Sequence, residues 1–209
     1  MKTIIFDLDN TILFLSNEWE KIYESFIKKY NLNVTAKDLF LTVGKIEKNN
    51  PDKYISKKFF VNHINENLSL NIDLNIGDAL LDKYARIPLS RVCEVRKLLE
   101  YLSSKYEIIA YTNWFTDNQI KRLKLNGLDK YFKKVYGWDI LPIKPSRKGL
   151  EGIIKDNDMN KCIFIGDNLQ GDIILPDSMG MDTIFYNYKN IPQDKYKEVK
   201  DIIDLKNIL

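Results

Sequence analysis

The 209 residues are 44% hydrophobic and carry 32 Lys and Arg against 29 Asp and Glu, a formal net charge of +3. That is enough apolar material for one sizeable core with a smaller subdomain, and the interspersed charge excludes the basic stripe of a polynucleotide binder. The single histidine, His63, excludes a multi-histidine zinc or iron centre, so catalysis has to run on carboxylates, lysine and hydroxyls.

The chain opens with an apolar run, Ile4-Ile5-Phe6, that ends abruptly in Asp7 and Asp9. A run without alternation suits a strand buried on both faces of a parallel sheet. Carboxylates at i and i+2 of a strand point to one side, and such sheets bind ligands at the carboxyl ends of their strands. Two close like charges imply a cation, a shared proton, or both.

Residues 18–87 break the pattern. Helical periodicity predicts four amphipathic helices, over 19–30, 35–48, 56–68 and 77–86, with His63 a packing or surface residue inside the third. They read as an insertion entered near 14–17 and left near Pro88. A helix is expected over 91–105, with apolar Val92, Val95, Leu98, Leu99 and Leu102. Strands follow at 107–112, 134–137, 161–166 and 182–186. Helices are expected over 116–126, capped by Thr116, and over 146–156, capped by Ser146. Residues 199–209 are expected to close the sheet edge as a short strand or helix.

Alternating strands and helices predict an α/β, Rossmann-like three-layer sandwich with a mostly parallel sheet, plus a helical cap inserted after the first strand. The corresponding domains are 1–16 with 88–209 for the core and 17–87 for the cap. Cys93 and Cys162 lie outside any CxxC pair and read as reduced core thiols of a cytoplasmic protein. No leader and no apolar run of membrane-spanning length is visible.

Three further motifs fall at strand ends. Thr112-Asn113 offers a hydroxyl and backbone N–H groups suited to a phosphate oxygen. Lys144 lies in a stiff Pro142-Ile143-Lys144-Pro145 connector, as a compact charge for a phosphoryl oxygen or for separating carboxylates. Gly166-Asp167 is followed by Asp172, with Gly166 expected to allow a tight turn. Hard carboxylate oxygens without histidine or thiolate favour Mg²⁺. A cation with lysine and hydroxyl donors makes a cradle for a phosphoryl group.

These four motifs, in this order, resemble the haloacid dehalogenase superfamily of phosphohydrolases. The resemblance implies an Mg²⁺-dependent phosphatase for a small soluble phosphate ester such as a nucleotide or sugar phosphate, with neither nucleic acid polymer nor membrane as partner. It implies that Asp7 is the nucleophile and Asp9 the general acid and base. It places Mg²⁺ on the Asp7 carboxylate, the Asp9 carbonyl and Asp167, with Asp172 in an outer shell. Thr112 and the Asn113 N–H would bind phosphoryl oxygens, and Lys144 would hold the nucleophile. Crowding by carboxylates is expected to raise the pKa of Asp9.

Alternatives within the resemblance are a phosphomutase or phosphotransferase and, from another class, a non-catalytic binding protein on this fold. Dehalogenation is disfavoured by Asp9, since a leaving halide needs no proton. Phe14, Trp19, Trp114 and Phe115 are expected to pack the insertion against the core in preference to stacking on substrate. Tyr84, Arg86 and Arg91, near the insertion's exit, are candidate substrate contacts.

Overall fold

The computed structural model describes residues 2–155 and 157–209. In chain order the strands are β1 (Lys2–Phe6), β2 (Phe14–Leu15), β3 (Leu89–Ser90), β4 (Tyr106–Tyr111), β5 (Lys134–Tyr136), β6 (Cys162–Gly166), β7 (Asp182–Tyr186) and β8 (Glu198–Val199). The helices are α1 (Trp19–Lys29), α2 (Ala36–Asn49), α3 (Lys57–Leu68), α4 (Leu74–Ala85), α5 (Val92–Ser103), α6 (Thr116–Leu125), α7 (Arg147–Ile154), α8 (Leu175–Ser178) and α9 (Leu205–Ile208).

Six strands form one parallel sheet in the order β5-β4-β1-β6-β7-β8. Counted along the chain without β2 and β3, that is 3-2-1-4-5-6, so the winding reverses between β1 and β6. In open α/β sheets ligands bind outside the strand ends at that reversal. Asp7 and Asp167 directly follow these two strands.

Both sheet faces are covered, which explains the unbroken apolar runs. On one face Ile4, Phe6, Ile108, Ala110, Ile163 and Ile165 pack with Val95, Leu98, Leu99 and Leu102 of α5. On the other, Ile5, Ile109, Tyr111, Cys162 and Phe164 pack with Leu150 and Ile153 of α7. The two sets interleave residue by residue, as the period of a strand requires.

Helices α1 to α4 occupy 19–85, and their connectors pair as an antiparallel ribbon, Phe14 opposite Ser90 and Leu15 opposite Leu89. The helices form a separate apolar cluster built on Tyr23, Phe26, Leu39, Ile46, Phe60, Ile64 and Leu80. Trp114, Phe115, Trp138 and Ile143, from loops after β4 and β5, join it. The expected packing role of Trp114 and Phe115 is thus seen, while Trp19 packs on Phe40 and Phe14 meets the edge of Tyr186.

Several expectations need correction. Helix α4 starts at Leu74 rather than Gly77, because the Asp73 carboxylate accepts from the Ile76 N–H (2.9 Å) and caps the helix one turn earlier. Thr116 does not cap α6: Phe115 holds that position, and the Thr116 hydroxyl donates to Asp139 (2.8 Å) and accepts from the Gly137 N–H (2.9 Å). Cys93 is exposed on α5; only Cys162 is a core thiol. The C-terminal segment provides both expected forms, with Val199 completing β8 at the sheet edge and α9 packing beneath α5 residues in the core. The predicted helix over 146–156 runs to Ile154, capped by Ser146, and Asp156 lies outside the described residues. His63 on α3 sits 3.1 Å from the Thr42 carbonyl and stacks on Phe59, in keeping with a packing role. Among the described residues no helix is long and apolar enough to cross a membrane.

Candidate active site

Asp7 extends β1 by one residue, its N–H donating to the Ile165 carbonyl of β6 (2.9 Å). The chain then folds back: the Leu8 carbonyl accepts from the N–H groups of Ile12 (2.9 Å) and Leu13 (2.7 Å), and Asn10 takes a left-handed conformation at φ 64°. Asparagine tolerates that region better than most residues. The turn carries Thr11 over Asp7, and its hydroxyl donates to Asp7 Oδ2 (3.1 Å).

Lys144 is buried between two carboxylates. Its Nζ donates to Asp7 Oδ1 and to Asp172 Oδ1, each at 2.7 Å. The connector that presents it has a cis Lys144–Pro145 peptide, and the Lys144 N–H donates to Asn113 Oδ1 (2.8 Å). Asp172 lies in a π-helical turn, Leu169–Ile174, and accepts from the Asn168 N–H through its other oxygen (3.1 Å). Gly166 keeps an ordinary backbone conformation; what it permits is contact, since a β-carbon there would overlap the Asp172 carboxylate. Asp167 pairs with Lys189, whose side chain is half exposed (3.1 Å).

Negative charge outweighs positive here. Burial pushes Asp7 from 3.8 up to about 7 despite Lys144, with Asp172 adding to the rise. Burial likewise raises Asp167 to about 6, and Asp172 is also raised. Lys144 is held firmly charged, because two carboxylates face it and outweigh its own burial. The shifts are consistent: one ammonium is over-compensated, and each carboxylate receives only a share of it.

The chemistry of this donor set fits a divalent cation. Asp7, Asp167 and Asp172 each offer a carboxylate oxygen, all within 4.8 Å of one another, and all three residues are buried. Oxygen-only ligands with surplus negative charge suit Mg²⁺.

Asp9 has a different setting, and the expectation of carboxylate crowding around it is corrected. Arg122 Nη1 donates to its Oδ1 at 2.6 Å, Tyr84 Oη to the same oxygen at 3.2 Å, and Gln119 Nε2 to Oδ2 at 2.6 Å. The crowding falls on Asp7, Asp167 and Asp172, while Asp9 meets a guanidinium, a phenol and an amide. Arg122 is fully buried, bonds Gln119 Oε1 (2.7 Å), and among the described residues leaves Nε and Nη2 without a partner. Its positive charge also lies over the Tyr84 ring, 4.7 Å from the centroid.

Gln119 links the two halves of the site, since its amide also donates to Thr112 Oγ1 (2.8 Å). The Asn113 side chain is committed elsewhere: Nδ2 donates to Glu47 of α2 (2.7 Å) and to the Lys144 carbonyl (3.2 Å). The insertion therefore reaches the rim through Glu47 at Asn113 and through Tyr84 at Asp9.

A cavity of about 680 Å³ opens over this rim. Asp7, Asp9, Thr112, Asn113, Lys144, Asp167 and Asp172, named from sequence, all line it, so the fold brings together motifs spread over 166 positions. Tyr84 and Trp114 line it as well, whereas Arg86 and Arg91 do not: Arg86 pairs with Asp82, and Arg91 with Glu94 and Asp201. Sequence reasoning missed Arg122, Gln119, Glu47 and Lys189. The one available signal was the presence of Gln119 and Arg122 on the inward face of an otherwise polar helix.

A three-layer α/β fold with acidic strand tips at the winding reversal defines the class of protein. Residues 4–186 match the family model described as haloacid dehalogenase-like hydrolase, and the chain belongs to that family. The chain is similar to pyrimidine 5'-nucleotidase PynA of Streptococcus pneumoniae, 28% identical over 230 residues, covering all of this chain and 97% of that protein. In fold it is similar to the HAD-hydrolase YfnB of Bacillus subtilis, solved bound to magnesium, at TM-score 0.76 and 22% identity over 99% of this chain and 97% of that one. It is likewise similar to the 2-haloacid dehalogenase of Pseudomonas syringae, at TM-score 0.72 and 20% identity over 100% and 97% of the two chains.

Proposed function

We propose that the protein is an Mg²⁺-dependent phosphomonoester hydrolase acting through an aspartyl-phosphate, with a nucleotide or sugar phosphate as substrate and residues 17–87 as its cap. The observation that carries this reading is the Lys144 ammonium bridging Asp7 and Asp172 at 2.7 Å on the floor of a cavity lined by all four motifs. The similarity to a nucleotidase supports a phosphate ester as substrate. The likeness to dehalogenases extends to the fold alone, and Asp9, when protonated, would serve a leaving oxygen in a way that a halide does not need.

In this reading Asp7, the Asp9 carbonyl and Asp167 hold the cation, and Asp172 steadies Lys144. The cation, when bound, offsets negative charge on the phosphoryl oxygens. Asp7 attacks phosphorus, an Asp7 O–P bond forms, and the bond from phosphorus to the leaving oxygen breaks. Asp9 gives its proton to that oxygen. Water then attacks phosphorus, Asp9 takes its proton, and free phosphate leaves with Asp7 restored. Thr112 and the Asn113 N–H orient the phosphoryl oxygens, and Lys144 stabilises the charge that spreads in transfer. The three donors on Asp9 suit its second role, in which the carboxylate must face water as an acceptor. The cap excludes bulk water from the intermediate.

The reading is tested by phosphate release from a panel of phosphomonoesters with Mg²⁺, repeated after chelation. Release that stops with EDTA and returns with Mg²⁺ is expected. Isomerisation of a sugar phosphate without release would instead make the protein a mutase, and binding without turnover of any ester would make it a binding protein.

A further inference from the structure

Eight of the nine glycines have a local reason to lack a side chain. In α4, a β-carbon on Gly77 would strike Val61. In α7, Gly149 lies against Tyr111, and Gly152 would meet Leu141 at 2.8 Å. Gly137 and Gly166 are similarly crowded, a β-carbon on Gly171 would press on the Asn168 side chain at 3.2 Å, and Gly127 and Gly180 have left-handed backbones at φ 64° and 89°. Gly44 alone has neither reason: it lies inside α2 with an ordinary helical backbone, and a β-carbon there would meet nothing within 4 Å.

Glycine is a poor residue for a helix interior, so its presence there calls for a cause outside the helix. The position supplies one. Phe40, Val43, Gly44, Glu47 and Lys48 recur at i, i+3, i+4, i+7 and i+8, one face of α2, and all of them line the cavity over Asp7. Gly44 is the centre of that face and is itself exposed, so the gap it leaves lies at the open mouth of the cavity.

The chemistry around the gap selects what fills it. Glu47, held by Asn113 at 2.7 Å, is an acceptor-only carboxylate beside the phosphate end, matched to hydroxyl donors. Phe40, partly buried, adds apolar surface to the same cavity, and Tyr23 and Trp114 line it as buried rings packed on their neighbours. We propose that Gly44 is a specificity-determining position that makes room for the leaving group of a nucleoside monophosphate, with hydroxyls near the phosphate and a planar ring beyond. This deepens, and rests on, the phosphatase reading.

The test compares wild type, Gly44→Ala and Gly44→Leu on uridine 5'-monophosphate, glucose 6-phosphate and acetyl phosphate. The last probe has a two-carbon leaving group and reports the chemistry with little demand on space. Wild type is expected to favour uridine monophosphate over glucose 6-phosphate. Gly44→Leu is expected to raise KM for uridine monophosphate by about tenfold or more, with Gly44→Ala intermediate and acetyl phosphate turnover changed less than about twofold. Both variants should melt no lower than wild type, since each is a better helix former than glycine. Equal losses on all substrates, no loss on the nucleotide, or a wild-type preference for the sugar phosphate would overturn the inference while leaving a working phosphatase. Absence of phosphate release from every probe, acetyl phosphate included, would overturn the phosphatase reading and the inference with it.

Discussion

Two carboxylates one residue apart, Asp7 and Asp9, end in opposite electrostatic settings. Asp7 shares one buried ammonium with Asp172 and faces Asp167, so its surroundings are short of positive charge and burial lifts it to about 7. Asp9 turns to the flank, where Arg122, Gln119 and Tyr84 supply donors to both of its oxygens. The floor of the site therefore has a deficit that a cation can fill, and the flank is already neutralised by protein. Identical side chains at i and i+2 are made different by what α4 and α6 bring to them.

The comparison breaks most visibly at the floor. As the proposed nucleophile Asp7 has no substitute, so Asp7→Asn is expected to lower kcat by about 10⁴-fold or more. Its stability should change by no more than about 1 kcal/mol, since Lys144 keeps Asp172 as a partner. Steady-state kinetics and thermal melts check both parts, and severe unfolding would make Asp7 structural.

On the flank, Asp9→Asn should cost about 10²–10⁴-fold on alkyl phosphates and distinctly less on an activated aryl phosphate, whose leaving oxygen needs little protonation. Equal losses on the two esters would remove Asp9 from the acid role.

Arg122→Met tests whether the flank is held by charge. It removes a fully buried guanidinium bonded at 2.6 Å to a partly exposed carboxylate that water can rehydrate. A loss of about 1–3 kcal/mol is expected in denaturant titration, less than for a fully buried pair. KM should move less than kcat, since the change acts on Asp9 and not on phosphate binding. A stability loss with kcat intact would confine Arg122 to packing.

The smallest effect concerns pH and the cation. Asp7 and Asp167 titrate higher in the folded chain, at about 7 and about 6, than the ordinary 3.8. The folded state therefore binds more protons than the unfolded one between about pH 4 and pH 7, and stability of the cation-free protein falls as pH rises through that window. Melting in EDTA should be lower at about pH 8 than at about pH 5. Mg²⁺ should raise it by roughly 5 °C at the higher pH and by less at the lower. A cation-free melting temperature that rises across this range would contradict the charge deficit at the floor.

Most of the sheet and the floor of the site were legible because their signals are local. Ile4-Ile5-Phe6 and Cys162-Ile163-Phe164-Ile165 are apolar runs that only a strand covered on both faces can bury, and each ends in glycine or aspartate at the rim. The start of α4 was misread because the capping Asp73 precedes residues with weak periodicity. The expected environment of Asp9 was wrong for a different reason: Tyr84, Gln119 and Arg122 lie 75, 110 and 113 positions away, and no spacing rule links them to Asp9.

Local pattern by itself determined the α/β class, the helical interruption of 18–87 and the motif residues at strand ends, because apolar period and turn chemistry act over a few residues. Tertiary structure alone decided how charge is shared. Whether a carboxylate is over-supplied or starved of cations depends on groups from separate elements converging within about 3 Å, and whether a glycine marks crowding or an opening depends on what faces it. Both are distances in space, which sequence separation does not contain.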